Sequence, residues 1–234
     1  MKKYTHIIAI LDKSGSMAPI IDDTIGGFNT FLEEQKSIKE DATLTLVQFN
    51  DKCETIYSDV PLKHAAPLTR ETFVPKGWTS LNDALATVIN QVGLKLASKP
   101  EHERPSKVMF LILTDGAENT SKEFGGEHGL AKLSGMIKHQ SEKYSWNFTF
   151  LGANLDSQKV AIKYNISAAN SINFSSDGIG TRNAFKSMSR GMATARLSDL
   201  NSQSYFIGEI NKTKIDNTIL DNSDIQTHID KLTK

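Results

Sequence analysis

A single cysteine, Cys53, occurs in 234 residues, so no intrachain disulfide can form, and a reducing compartment is the natural setting. Net charge is absent as well, because Lys+Arg and Asp+Glu both total 27. Nothing in that balance would draw the chain to nucleic acid or to an acidic membrane. No stretch approaches the ~20 apolar residues needed to span a bilayer. The start, basic and then apolar, imitates a secretory leader, but Asp12 cuts the run short of the roughly 7–15 residues of a leader's apolar region. A cytoplasmic protein is expected, with virion association as a second location. Catalytic signatures are missing too: no Walker loop, no Gly-x-Ser-x-Gly elbow and no Asp-x-Asp pair. The six histidines form no close pair at zinc spacing. Gly178-Ile179-Gly180 lacks the third glycine of a phosphate-binding turn and reads as the start of a helix.

What is present is an alternation of strands and helices. His6 to Leu11 and Val108 to Leu113 are near-continuous apolar runs, as expected of parallel strands covered on both faces. Thr43 to Phe49 partly alternates, and Asn50-Asp51 before Cys53 to Tyr57 predicts a hairpin at a sheet edge. Further strands are predicted at Asn147 to Gly152 and Ser171 to Phe174. Ile21, Ile25, Phe28 and Leu32 recur at helical spacing, despite Gly26-Gly27, and Leu81, Leu85, Val88 and Val92 form a second stripe. Ser80 with Asp83 resembles a capping box at its start. Leu130 to Tyr144, Ser157 to Tyr164 and Thr181 to Leu197 complete the pattern. The expected fold is α/β, with a mainly parallel sheet and helices on both faces. The alternation spans residues 1–198. Residues 199–234 are mostly polar apart from Tyr205 to Ile210 and read as an appendage.

Both apolar strands end in an aspartate, Asp12 and Asp115. Ligands of open parallel sheets gather outside such carboxyl ends. Asp12-Lys13-Ser14-Gly15-Ser16 adds two hydroxyls at alternate positions, and Gly77-Trp78-Thr79-Ser80 offers another. Two carboxylates with neutral oxygens suit a small, hard divalent cation.

These three segments, with Thr114-Asp115-Gly116 as the third, resemble the loops of a von Willebrand factor type A domain from about Tyr4 to Leu197. Small stand-alone bacterial and phage proteins of this type are known. The resemblance implies a doubly wound, Rossmann-like sheet with one antiparallel edge strand. It also implies a metal-ion-dependent adhesion site of Asp12, Ser14, Ser16, Thr79 and Asp115 holding Mg²⁺ or Mn²⁺. On that reading the chain is a non-enzymatic module whose metal accepts an Asp or Glu side chain of a partner protein. A metal-assisted hydrolase or phosphoryl-transfer enzyme and a structural or virion-associated assembly component are the alternatives. Around the site, Ser80 is expected to cap its helix, Trp78 to pack under its loop, and Glu118 and Asn119 to form a solvated turn.

Overall fold

The structure, a computed structural model, describes residues 3–153, 156–175 and 177–198. The less polar stretch at residues 205–210 and the rest of the appendage over 199–234 lie outside the described residues.

Six strands form one sheet: β1 (Thr5–Asp12), β2 (Ala42–Phe49), β3 (Cys53–Pro61), β4 (Lys107–Thr114), β5 (Asn147–Ala153) and β6 (Ser171–Phe174). Their order across the sheet is β3-β2-β1-β4-β5-β6. All neighbours are parallel except β2 and β3, the hairpin at the edge. Helices α1 (Ile21–Lys36), α2 (Leu81–Ala97), α3 (Gly126–Tyr144) and α4 (Ser157–Lys163) lie in the connections between strands, and α5 (Gly178–Leu197) follows β6.

The unbroken apolar runs of β1 and β4 follow from the pleat, which sends successive side chains to opposite faces. Ile7, Ala9 and Leu11 of β1, with Met109, Leu111 and Leu113 of β4, pack against Phe28, Phe31 and Leu32 of α1 and Met188 and Met192 of α5. Ile8 and Ile10, with Phe110 and Ile112, pack instead against Leu85, Val88 and Val92 of α2 and Leu133 and Ile137 of α3. Two cores therefore sandwich the sheet, and each strand residue between them is committed to one or the other. Helices α3 and α5 begin several residues before the first periodic apolar position, because their first turns are polar or glycine-rich and carry no such stripe. The Gly178-Ile179-Gly180 turn does start a helix, with the Asp177 side chain accepting a hydrogen bond from Gly180 N at 2.7 Å. No helix among the described residues is long and apolar enough to cross a membrane.

The chain runs from β1 toward β2 on one side and from β4 toward β5 on the other, so the β1/β4 boundary is where the winding reverses. The carboxyl ends of those two strands thus frame the crevice in which this class of sheet places ligands.

Gly26 and Gly27 both lie inside α1, for different reasons. A Cβ on Gly27 would stand 2.3 Å from the Phe185 ring of α5, whereas one on Gly26 would meet nothing within 4 Å. Gly27 is a packing requirement of the α1/α5 contact, while Gly26 only weakens the helix. Gly27→Ala should cost about 1–3 kcal/mol through overpacking, and Gly26→Ala should stabilise by roughly 0.5–1 kcal/mol. Urea unfolding of the two variants checks both signs.

Candidate functional site

Asp12 closes β1 and is fully buried. Its Oδ1 accepts the Ser14 backbone N–H at 2.7 Å and its Oδ2 accepts the Thr114 hydroxyl at 2.6 Å. The first bond folds the loop back on the strand end, and the second ties β1 to β4. Ser14, itself buried, places its Oγ 3.0 Å from Ser16 Oγ, and Ser16 Oγ donates to Asp115 Oδ1 at 2.7 Å. Asp115 follows β4 directly, so the first and third loops meet through a chain of hydroxyls and carboxylates.

The second loop joins through its backbone and through glycine. Gly15 N donates to Gly77 O at 3.0 Å, and Gly77 has a φ of +77°. A Cβ there would fall 2.1 Å from Asp51 Oδ2, so both conformation and space demand glycine. At Gly116 a Cβ would stand 3.3 Å from Thr79 Oγ1 and 3.5 Å from Ser16 Oγ. All three loops therefore bring an oxygen to the same place. Among the described residues Thr79 Oγ1 has no hydrogen-bond partner, although Thr79 is buried. The five expected residues are thus gathered, and none of them is left elsewhere.

The electrostatics of this cluster are unfavourable to its own charges. Burial pushes the Asp12 carboxyl up to about 6, against the lowering effect of its bonds from Thr114 and Ser14. Burial likewise raises Asp115. Among the described residues no lysine or arginine pairs with either carboxylate. Nor, among the described residues, do three or more His, Cys, Asp or Glu side chains gather in a way that could hold a metal by themselves. A cation held here would rest on two carboxylates supplemented by hydroxyls, a hard oxygen set suited to Mg²⁺ or Mn²⁺ and poor for a soft ion.

Three expectations about the surroundings are corrected. Ser80 makes no side-chain cap to α2, and its hydroxyl pairs with Thr120 Oγ1 at 2.8 Å. Asp83 does not reach back to Ser80 but accepts from Lys122 N and Phe124 N, each at 2.7 Å. The first turn of α2 is satisfied from the third loop instead. Glu118 Oε2 accepts from Asn82 N at 2.8 Å, and Ser121 Oγ accepts from Asp83 N at 3.0 Å.

Glu118 and Asn119 are more than a solvated turn: Glu118 is half-buried and Asn119 exposed, yet both hold neighbouring backbone by hydrogen bonds. The Glu118 carboxylate also takes Thr120 N, Ser121 N and the Ser121 hydroxyl at 2.7–3.0 Å. Asn119 exchanges two bonds with the Thr79 backbone, Thr79 N to its Oδ1 at 3.0 Å and its own N to Thr79 O at 3.1 Å. It is the residue that holds Thr79 in position. Trp78 does not pack under its loop: 66% of it is exposed.

No protein-family model and no curated protein matches this sequence. Solved structures do. Proximal thread matrix protein 1 from the mussel byssus, with a zinc-occupied MIDAS motif, is similar over 82% of this chain and 46% of its own, at 15% identity and a TM-score of 0.53. A von Willebrand factor type A protein from Catenulispora acidiphila matches over 82% of this chain and 43% of its own, at 14% identity and a TM-score of 0.53. The vWF domain of the type V pili tip protein Mfa5 from Porphyromonas gingivalis covers 82% of this chain and 96% of its own, at 8% identity and a TM-score of 0.56. The chain spans about half the length of the mussel protein. The likeness is one of architecture: the chain has the Rossmann-like fold of a von Willebrand factor A domain.

Proposed function

We propose that Asp12, Ser14, Ser16, Thr79 and Asp115 hold one Mg²⁺ or Mn²⁺ ion, and that the protein is a non-enzymatic, cytoplasmic binding module that captures an Asp or Glu side chain of a partner protein. Residues 1–198 form this module and 199–234 are its appendage. The observation that carries the reading is the convergence of oxygens from three loops around a buried, cation-free carboxylate, Asp12. The zinc-occupied MIDAS motif of the mussel protein supports a divalent ion in this fold.

Within that reading the residues divide the work. Asp12 and Asp115 supply the compensating charge, the three hydroxyl residues supply neutral oxygens, and Asn119 keeps Thr79 aimed at the group. When bound, the cation supplies an electrophilic position that accepts a carboxylate oxygen from outside the chain. The hydroxyl-rich donor set leaves more of that positive character available than a cage of carboxylates would.

Metal bound only by the folded state should stabilise wild type by about 2.7 kcal/mol at one hundred times its dissociation constant, several degrees in a domain of this size. Thermal unfolding in EDTA and then in a Mg²⁺ or Mn²⁺ titration reads this directly. Asp12→Ala and Asp115→Ala should lose the shift, and Ser14→Ala should lose far less of it. Equal metal affinities across the three variants would reject the assigned roles.

The raised Asp12 group gives a second prediction, made for the metal-free protein. Because its folded value lies near 6 rather than 3.8, its contribution to stability is complete below about pH 4 and is lost as pH rises through about 6. The difference corresponds to roughly 3 kcal/mol. Asp12→Asn, which can still accept from Ser14 N, should therefore raise stability in EDTA at pH 7.5 by on the order of 1–3 kcal/mol while abolishing the Mg²⁺ response. At pH 5 the wild-type Mg²⁺ shift should shrink, since protons then compete for the carboxylates. A variant less stable than wild type in EDTA at pH 7.5 would show that the carboxylate is not the strained group.

A further inference from the structure

Trp78 immediately precedes the proposed ligand Thr79, so their Cα atoms lie about 3.8 Å apart. The two tryptophans of the chain are opposites: Trp146 is 4% exposed and stacked on Phe110, whereas Trp78 is 66% exposed. Its exposure is not that of a loose loop. Trp78 N donates to both carboxylate oxygens of Asp51, at 3.2 and 3.3 Å, and the preceding Gly77 is fixed by its positive φ and by its bond from Gly15. The following residue is clamped by Asn119. The backbone is thus ordered on both sides while the indole stands in water. A large exposed aromatic side chain on an ordered backbone next to a site is what binding hot spots are made of, because the backbone needs no further ordering on association.

The charges nearby favour an acidic visitor. Lys13 is matched by Glu54 at 2.6 Å. The exposed Lys52 and Lys76 have no ion pair among the described residues, and the Asp51 carboxylate is turned to the Trp78 backbone. Lys52 follows Asp51 directly and Lys76 stands two residues before Trp78 in the sequence, and with Lys13 they outnumber Asp51 and Glu54, on which Lys76 also acts, which works against a cationic residue settling on the indole.

We propose that Trp78 determines which partner the site selects: an acidic segment that carries an aromatic or large aliphatic side chain within one or two residues of the carboxylate delivered to the metal. This rests on the metal reading above and adds to it the apolar half of the recognition. The carboxylate gives the contact its metal dependence, and the indole discriminates among carboxylates.

The test uses the full-length protein and three fluorescein-labelled probes: the peptide Glu-Glu-Asp-Phe-Glu-Glu, the same peptide with Ala in place of Phe, and the same with Arg in that place. Anisotropy is measured in saturating Mg²⁺ and in EDTA, with wild type and Trp78→Ala. The Phe peptide should bind wild type about tenfold more tightly than the Ala peptide, in Mg²⁺ only. Trp78→Ala should erase that difference while keeping the wild-type Mg²⁺ thermal shift, which separates this contact from the metal site. Acrylamide quenching of the exposed tryptophan should fall when the Phe peptide binds. Equal binding of the Phe and Ala peptides, or no binding of any peptide to protein that shows the Mg²⁺ shift, overturns the role of Trp78 and leaves the metal site standing. Tightest binding of the Arg peptide overturns the apolar assignment in favour of a cation on the indole. Absence of a Mg²⁺ shift in wild type overturns the metal reading and this one with it.

Discussion

Everything at the working end of this sheet depends on one buried carboxylate. Asp12 terminates the central strand, and its two oxygens are divided between the Thr114 hydroxyl of the neighbouring strand and the Ser14 amide of its own loop. The first bond locks the β1/β4 boundary at the point where the winding reverses, and the second turns the loop so that Ser14 and Ser16 face Asp115. Both bonds favour the ionised form, yet burial outweighs them and holds the group near 6. The arrangement therefore keeps at neutral pH a negative charge that the protein does not itself neutralise.

The sequence carried the architecture because burial on both faces of β1 and β4 writes itself as uninterrupted apolar runs, and because each helix repeats its apolar residues at a different period. The hairpin was legible from Asn50-Asp51 between two strand-like segments. Of the five candidate ligands, Asp12, Ser14, Ser16 and Asp115 sit at or just beyond the end of an apolar strand, where local pattern fixes position, whereas Thr79, just before α2, was singled out by the resemblance to von Willebrand factor A loops. What was not legible lies in the loop from Asp115 to Gly125. Ser80 and Asp83 have the spacing of a capping box, but a folded chain can satisfy the same amides from elsewhere, and here Glu118 and Ser121 arrive from 36 and 38 residues away. No local rule reports that the third loop will lie across the start of α2. Trp78 was misread for the same reason, since its burial depends on whether a neighbouring loop covers it, and the neighbouring turn uses Asp51 to grip its backbone instead.

That third loop also resolves an electrostatic conflict. The start of α2 points positive amide groups toward the loops, which repels a cation. Glu118 takes the Asn82 amide, and Asn119 takes that of Thr79. With one carboxylate assigned to the helix, Asp12 and Asp115 need not serve it, and their charge stays directed at the oxygen cluster. Beyond Asp115 the loop thus supports the proposed site without contributing a further ligand.

A second carboxylate of the same sheet shows what the alternative looks like. Asp59, on the edge strand β3, is also pushed upward by burial, but hydrogen bonds from Lys99 and from threonine, with the nearby charges, bring it down to about 2. Lys99 Nζ lies 2.8 Å away and Lys95 Nζ 3.4 Å away. There the chain provides its own cations, and the pair braces the edge of the sheet. At Asp12 burial acts in the same direction, hydrogen bonds are again present, and the missing element is the cation. The two sites differ in the one component that a divalent ion from solution can replace. A lysine at the crevice would have stabilised the apo fold as Lys99 does for Asp59. Its place is taken by hydroxyls, whose hydrogen bonds favour the ionised carboxylates without outweighing burial and whose oxygens are good donors to a metal.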